Sequence, residues 1–297
     1  MIRQSGKNQT KVGSKRVRTF LRLIPLALAA APFALGQNPM HSPAPDAGMV
    51  RRALANELTA AQNADHPMRF RLRKWSPRLS TTKEMIETRN GTIARLVAVN
   101  DRPLDRAQQQ REDARLRDLI VNPGKQRHRQ QAQAQDTARA LKVLRALPTA
   151  FVYQYAGQVT HGSSTLERFA FAPNPTFNPP DLETQALTAL VGEIWIDPVS
   201  MRVVKLDGRL RDDVDFGWGI LGRLYRGGWI SLEQADVGGG VWRIVHFQMK
   251  MSARVVIRTR VFETTEDESD YTPVPFGLDT RQGIELLQSQ GTQTAHR

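Results

Sequence analysis

The chain has no cysteine at all. No disulfide can form, so in an oxidising compartment its stability has to come from a core. Acidic residues are absent before Asp46. Metal-ligand spacing is absent too: His41, His66, His128, His161, His246 and His296 are scattered, with no H-x-x-x-H or H-E-x-x-H pair among them. There is no G-x-S-x-G nucleophile elbow. The apolar run Leu23 to Leu35 falls short of the roughly 20 residues of a membrane span.

What the first residues do have is a cationic stretch and a short apolar one. Arg3, Lys7, Lys11, Lys15, Arg16, Arg18 and Arg22 precede Leu23 to Leu35, and Ala34-Leu35-Gly36 puts small residues at a cleavage site before Gln37. That order of charged, apolar and small-residue regions reads as a cleaved secretory signal over residues 1–36. Pro25 and Pro32 argue against a retained anchor helix, and the Lys15-Arg16 pair in place of twin arginines favours the general secretory route to the periplasm. With no cysteine at the cut, the mature chain is not expected to be membrane-anchored. Seven of the thirteen net positive charges belong to the signal, leaving +6 on the rest. Those charges are dispersed among acids, which speaks against a nucleic-acid partner.

The remaining residues, about 260, can build one large domain or two small ones. Residues 37–48, rich in Pro, Ser and Ala, read as a flexible tether, 49–289 as a single β-rich domain and 290–297 as a disordered tail. Val50 to Asn63 has helical spacing. Met68, Phe70 and Leu72 then alternate with Arg69, Arg71 and Arg73, a strand with one buried face. Thr82 to Thr88 and Thr92 to Val99 are strand candidates around Asn90-Gly91, a hairpin signal because both residues tolerate positive φ. Leu104 to Ile120 and Lys125 to Leu147 predict a helical insert, parted by Asn122-Pro123-Gly124 and stopped at Pro148. Strands resume at Ala150 to Gly157 and Arg168 to Ala172. After a four-proline loop (Pro173 to Asp181) they follow at Val191 to Asp197, Arg202 to Leu210, Gly228 to Val237, Val241 to Met251 and Arg254 to Thr264. Without helices between them, such strands pair antiparallel. Asp279 to Gln288 predicts a closing helix capped by Asp279.

No catalytic constellation, metal site or cofactor site emerges. Gly217, Gly219 and Gly222 spell G-x-G-x-x-G, but they lead into a strand and lack the βαβ unit that makes the motif a nucleotide site. They read as a turn or bulge. Asp212, Asp213 and Asp215 lack the further oxygen ligands of a calcium loop. Glu193 and Asp197, on one strand face around Trp195, are a pairing that glycosidases use, though charged residues on the solvent face of an antiparallel strand are far commoner. A hydrolase therefore stays as a third reading.

Phe151, Tyr153, Tyr155, Phe169, Phe171, Ile194, Ile196, Phe247 and Met249 would give a large curved sheet an apolar face that helices have to cover. That face is either a packed core or a partly filled cavity. Gly192-Glu193-Ile194-Trp195-Ile196-Asp197-Pro198, followed by Arg202-Val203-Val204-Lys205-Leu206 and later by Val241-Trp242-Arg243-Ile244 and Arg258 to Phe262, resembles the periplasmic lipoprotein-carrier superfamily. That group includes the outer-membrane lipoprotein-sorting proteins and envelope-stress sensor domains.

The resemblance implies an α+β fold: an open antiparallel half-barrel sheet covered by helices, from which the helical hairpin insert read at 104–147 departs by being larger and more charged. It also implies a non-catalytic periplasmic protein that binds a hydrophobic ligand, an acyl chain or a lipidated protein. Strand parity offers Tyr153, Tyr155, Trp195, Phe247 and Met249 as lining residues. The alternative is an envelope scaffold with a packed core and a protein partner.

Overall fold

The computed structural model describes residues 45–63, 65–216, 222–255 and 258–289. The expected signal (1–36), most of the tether, the tail (290–297) and Gly217 and Gly219 of the glycine motif lie outside the described residues.

Helix α1 (Ala47–Gln62) opens on Asp46, whose carboxylate accepts the Gly48 N–H at 2.9 Å and so satisfies one of the free donors of the first turn. Strands β1 (Met68–Ser76), β2 (Leu79–Ile86), β3 (Ile93–Val99) and the short β4 (Arg102–Pro103) follow. The Asn90-Gly91 connection is not a two-residue turn of positive φ. Only Gly91 has one (94°), and the loop is held by Thr88, whose hydroxyl donates to Gly91 O at 2.6 Å and accepts from Asn90 N.

Next come α2 (Arg106–Val121), with a full capping box between Asp105 and Gln108, and α3 (Pro123–Ala150). Pro148 does not stop α3. It sits inside the last turn, and the strand begins only at Phe151. Then come β5 (Phe151–His161), β6 (Ser164–Pro173), α4 (Leu182–Gln185), β7 (Leu190–Asp197), β8 (Arg202–Leu210), β9 (Val214–Phe216), β10 (Gly222–Leu224), β11 (Trp229–Asp236), β12 (Trp242–Val255), β13 (Arg258–Pro273) and α5 (Thr280–Ser289).

Among the described residues the strands make one antiparallel sheet in the order β4-β3-β2-β1-β13-β12-β11-β8-β7-β6-β5, with β10 and β9 branching from β12. Its two ends do not pair, so the sheet is open. Strand β13 runs well past the expected Thr264, through Glu266, Asp267 and Glu268. Such a run has poor strand propensity. It is stabilised by the basic strand beside it: Lys74 reaches Glu266 at 2.5 Å, Arg73 reaches Asp267 at 3.6 Å and Arg71 reaches Asp270 at 3.0 Å. Gly192 of β7 is needed for close packing, because a side chain there would collide with the Asp207 carbonyl and the Phe171 ring.

Residues directly opposite in an antiparallel pair share a face. Leu206, Leu232, Phe247, Glu266, Lys74 and Thr81 are successive partners across the sheet and mark its inner face. On the β5–β8 side this face is covered by α1 and the end of α3, where Val50, Leu54 and Leu147 bury Phe151, Phe169, Phe171, Ile194, Ile196 and Val203. On the β1–β3 side the packed face is the outer one. Ile86 and Ile93 meet Leu116 and Leu119 of α2 and Ile284 and Leu287 of α5.

The two helices expected to act as one cover thus divide their work. Helix α2 packs over the outer face. Helix α3, with 28 residues and so about 42 Å long, runs from the β3 edge to α1. Along that edge helical side chains replace a strand. Thr92 N–H donates to Gln133 (3.2 Å), Leu96 N–H donates to Glu112 (2.8 Å), and Ala94 O accepts from Arg115 (2.5 Å). Backbone groups that would otherwise invite another chain are thereby paired.

Candidate functional site

Between α1, α3 and the inner face lies a cavity of about 500 Å³. Its roof is Leu54, Ala60 and Ala61 of α1 with Ala140, Leu141, Leu144 and Leu147 of α3. Its floor is Val203 and Leu206 of β8, Leu232 of β11 and Trp242 and Ile244 of β12. The roof residues have the i, i+3, i+4 spacing of one helix face, which is why a helix that reads as thinly amphipathic still presents an apolar surface at this end. Small alanines in place of larger side chains leave the space unfilled.

The floor depends on a β-bulge. Glu233 pairs with His246 but Gln234 pairs with Ile244, so Val245 is the extra residue on β12. This brings Trp242 and Ile244 onto the same face as Phe247 and Met249 although their parity differs. Past the cavity the face continues into a smaller space of about 220 Å³ between Ile244, Phe247, Glu266 and Glu268. It then widens into an open groove of about 1010 Å³ beside Met249, Phe262 and Lys74. From Trp242 to Met249 the strand spans about 23 Å. Ile244 remains 39% exposed and Phe262 44%, so this stretch of the face is uncovered.

A third of the lining is polar or charged, and most of these groups are held by partners. Glu57 of α1 accepts from Arg202 and from the Val203 N–H, and the Arg202 guanidinium lies 5.6 Å from the centre of the Trp242 ring. Gln234 donates to Val203 O at 3.0 Å. Glu268 faces the cavity and the smaller space beyond it, and accepts from the Tyr271 hydroxyl. Burial pushes its carboxyl above the usual range, with the charges of Glu266 and Glu87 adding to the shift, while the Tyr271 hydrogen bond and Arg243 oppose it. The same burial and the Glu268 partner raise the Tyr271 phenol.

Of the five residues expected to line a ligand, the structure brings Phe247 and Met249 to this face. Tyr153 and Tyr155 pack against the neighbouring core instead. Tyr153 donates to Leu147 O at 2.9 Å and Tyr155 to Glu167 at 2.8 Å. Trp195 lies on the outer face, because alternation along β7 opposes it to the buried Ile194 and Ile196. There it donates to Glu193 and carries Lys205 at 5.2 Å from its ring centre. Leu206, Leu232, Trp242, Ile244 and Leu144 were not singled out as lining residues. Trp242 and Ile244 carried a signal, the alternation of β12, which the bulge inverts.

The other candidate groups have partners. Asp215 and Asp213 pair with Arg223, and Asp212 with Arg211. Asp197 accepts from Val199 N–H and the Ser200 hydroxyl in the turn after β7. Among the described residues no group of three or more His, Asp or Glu side chains is placed to hold a metal ion, and no helix is long and apolar enough to cross a membrane.

No family model matches the chain, and no curated protein matches it. Among solved structures it is similar to a domain from Vibrio parahaemolyticus described as an outer membrane lipoprotein-sorting protein domain. The identity is 10%, the TM-score 0.28, and the match covers 80% of this chain and 97% of that one.

Proposed function

We propose that this protein is a non-catalytic periplasmic carrier that holds a hydrophobic ligand, an acyl chain or the lipid part of a lipoprotein, along the inner face of a half-barrel sheet. The observation that carries this reading is the unfilled apolar space between α1, α3 and strands β8, β11 and β12, continuous in chemistry with the uncovered apolar face of β12. A core of this kind is normally packed without voids larger than a water molecule. A cavity of about 500 Å³ whose lining is two-thirds aliphatic side chains and one indole, with the polar groups gathered around Glu57, Arg202 and Glu268, is of ligand size. Leu144, Leu206, Leu232, Trp242, Ile244, Phe247 and Met249 form the proposed lining, and the α2–α3 insert supplies the roof through α3.

The test is uptake of a fluorescent fatty acid by the purified mature protein, with Leu144→Trp as the control that fills the cavity. The reading expects saturable uptake displaced by unlabelled fatty acid and abolished in the variant. Equal uptake by both, or none by the wild type, contradicts it.

A further inference from the structure

Strands β12 and β13 remain paired as far as Val255 opposite Arg258, whereas β13 meets β1 only from Thr265 onward. On the side away from β12, β13 is therefore a sheet edge from Arg258 to Thr264, with no second strand beside it among the described residues. The edge is strongly cationic. Glu263 is taken by Lys250 at 3.0 Å and Glu266 by Lys74, while Arg258 and Arg260 on this edge and Arg78 in the β1–β2 turn have no acidic partner among the described residues. Arg78 and Arg260 line the same open groove. Apolar side chains stand among them: Val261 is 61% exposed, Phe262 44% and Leu79 48%.

Arginines alone would account for an edge guarded against pairing with other chains. Exposed valine, phenylalanine and leucine do not serve that purpose, because apolar side chains on an unpaired edge promote association. Unpaired cations beside exposed apolar groups match an interface that is anionic at its surface and apolar a few ångströms below it. We propose that this end of the sheet docks on a lipid bilayer carrying anionic head groups. Phe262, Val261 and Leu79 enter the head-group boundary, and Arg78, Arg258 and Arg260 contact phosphates. Phe262 also borders the groove reached from β12, so the docked end is where that face opens; this continuity rests on the ligand reading above, and the charge and exposure do not.

Co-sedimentation of the mature chain with vesicles tests the proposal, comparing phosphatidylcholine alone with phosphatidylcholine mixed with an equal part of phosphatidylglycerol. Binding is expected to the anionic vesicles and to weaken with salt. The triple variant Arg78→Gln, Arg258→Gln, Arg260→Gln is expected to lose affinity on the order of 100-fold. Val261→Ser with Phe262→Ser should lose binding that high salt does not mimic. Both variants should keep the wild-type melting temperature, and Leu144→Trp, which fills the cavity, should still bind the anionic vesicles, which separates failure of docking from failure of the ligand reading. Equal binding to neutral vesicles, unchanged binding of the folded variants, or capture of an envelope protein by this edge without vesicle binding overturns the proposal.

Discussion

Glu57 of α1 holds Arg202 of β8 through two parallel hydrogen bonds, Nε to Oε1 and Nη2 to Oε2, each 2.8 Å. The same carboxylate accepts the buried Val203 N–H at 2.9 Å. Glu57 is 8% exposed, so one side chain fastens the cavity's first roof helix to its floor out of reach of water. Removing one partner of such a pair leaves the other charge buried and uncompensated. Glu57→Ala should cost about 3 kcal/mol in denaturant unfolding. A loss comparable to that of an exposed pair, a few tenths of a kcal/mol, would show that the clamp is not holding α1 down.

The packed core and the uncovered face predict different costs for the same substitution. Phe169 is fully buried between α1 and the β5–β8 sheet, and Phe169→Ala should destabilise by about 3–5 kcal/mol. Phe247 borders open space on the inner face, so Phe247→Ala should cost about 1 kcal/mol while weakening fatty-acid uptake. Equal stability losses at the two positions would mean that the inner face is packed.

Glu268 gives stability a pH dependence of known sign. Its folded pKa lies above the ordinary 4.5 because burial disfavours the carboxylate. The folded state therefore holds a proton that the unfolded chain releases first, and the stability this contributes is complete below 4.5 and lost as pH rises through the folded value. Glu268→Gln keeps an acceptor for Tyr271 and cannot ionise. Its denaturation midpoint should fall less than that of the wild type as pH is raised from 4.5. Parallel pH profiles for the two proteins would remove Glu268 as the source.

Glu112 has the opposite sign. Burial works against its carboxylate, but the Arg115 guanidinium and the Leu96 N–H outweigh this and hold its pKa below 4.5. Its contribution is present above 4.5 and lost as pH falls through the folded value. Glu112→Gln should destabilise at neutral pH, with a smaller effect in acid, and should speed hydrogen exchange at the Leu96 amide. Unchanged exchange there would show that α2 does not protect the β3 edge.

Much of the architecture was legible in local pattern. The alternation at Met68 to Arg73, the succession of strands from Val191 onward and the Asp279 cap of the last helix all follow from side-chain period and capping chemistry. What was not legible depends on partners distant in sequence. The acidic run of β13 becomes a strand only because Arg71, Arg73 and Lys74 lie beside it. The β3 edge is closed by Glu112, Arg115 and Gln133, which read as ordinary solvent-facing helix residues. Two of the seven proposed lining residues were visible. Phe247 and Met249 follow from the parity of β12, but the bulge at Val245 recruits Trp242 and Ile244, and no local signal marks a bulge. Trp195 faces outward by the same alternation that buries Ile194 and Ile196.

The central claim is that the space under α3 holds an apolar ligand. It is tested most directly by organic extraction and mass spectrometry of the mature protein purified from the envelope without added lipid, alongside Leu144→Trp prepared in the same way. The account predicts a near-stoichiometric acyl-chain species from the wild type and its loss from the folded variant. Ligand-free wild-type protein, or the same lipid recovered equally from both, would contradict it.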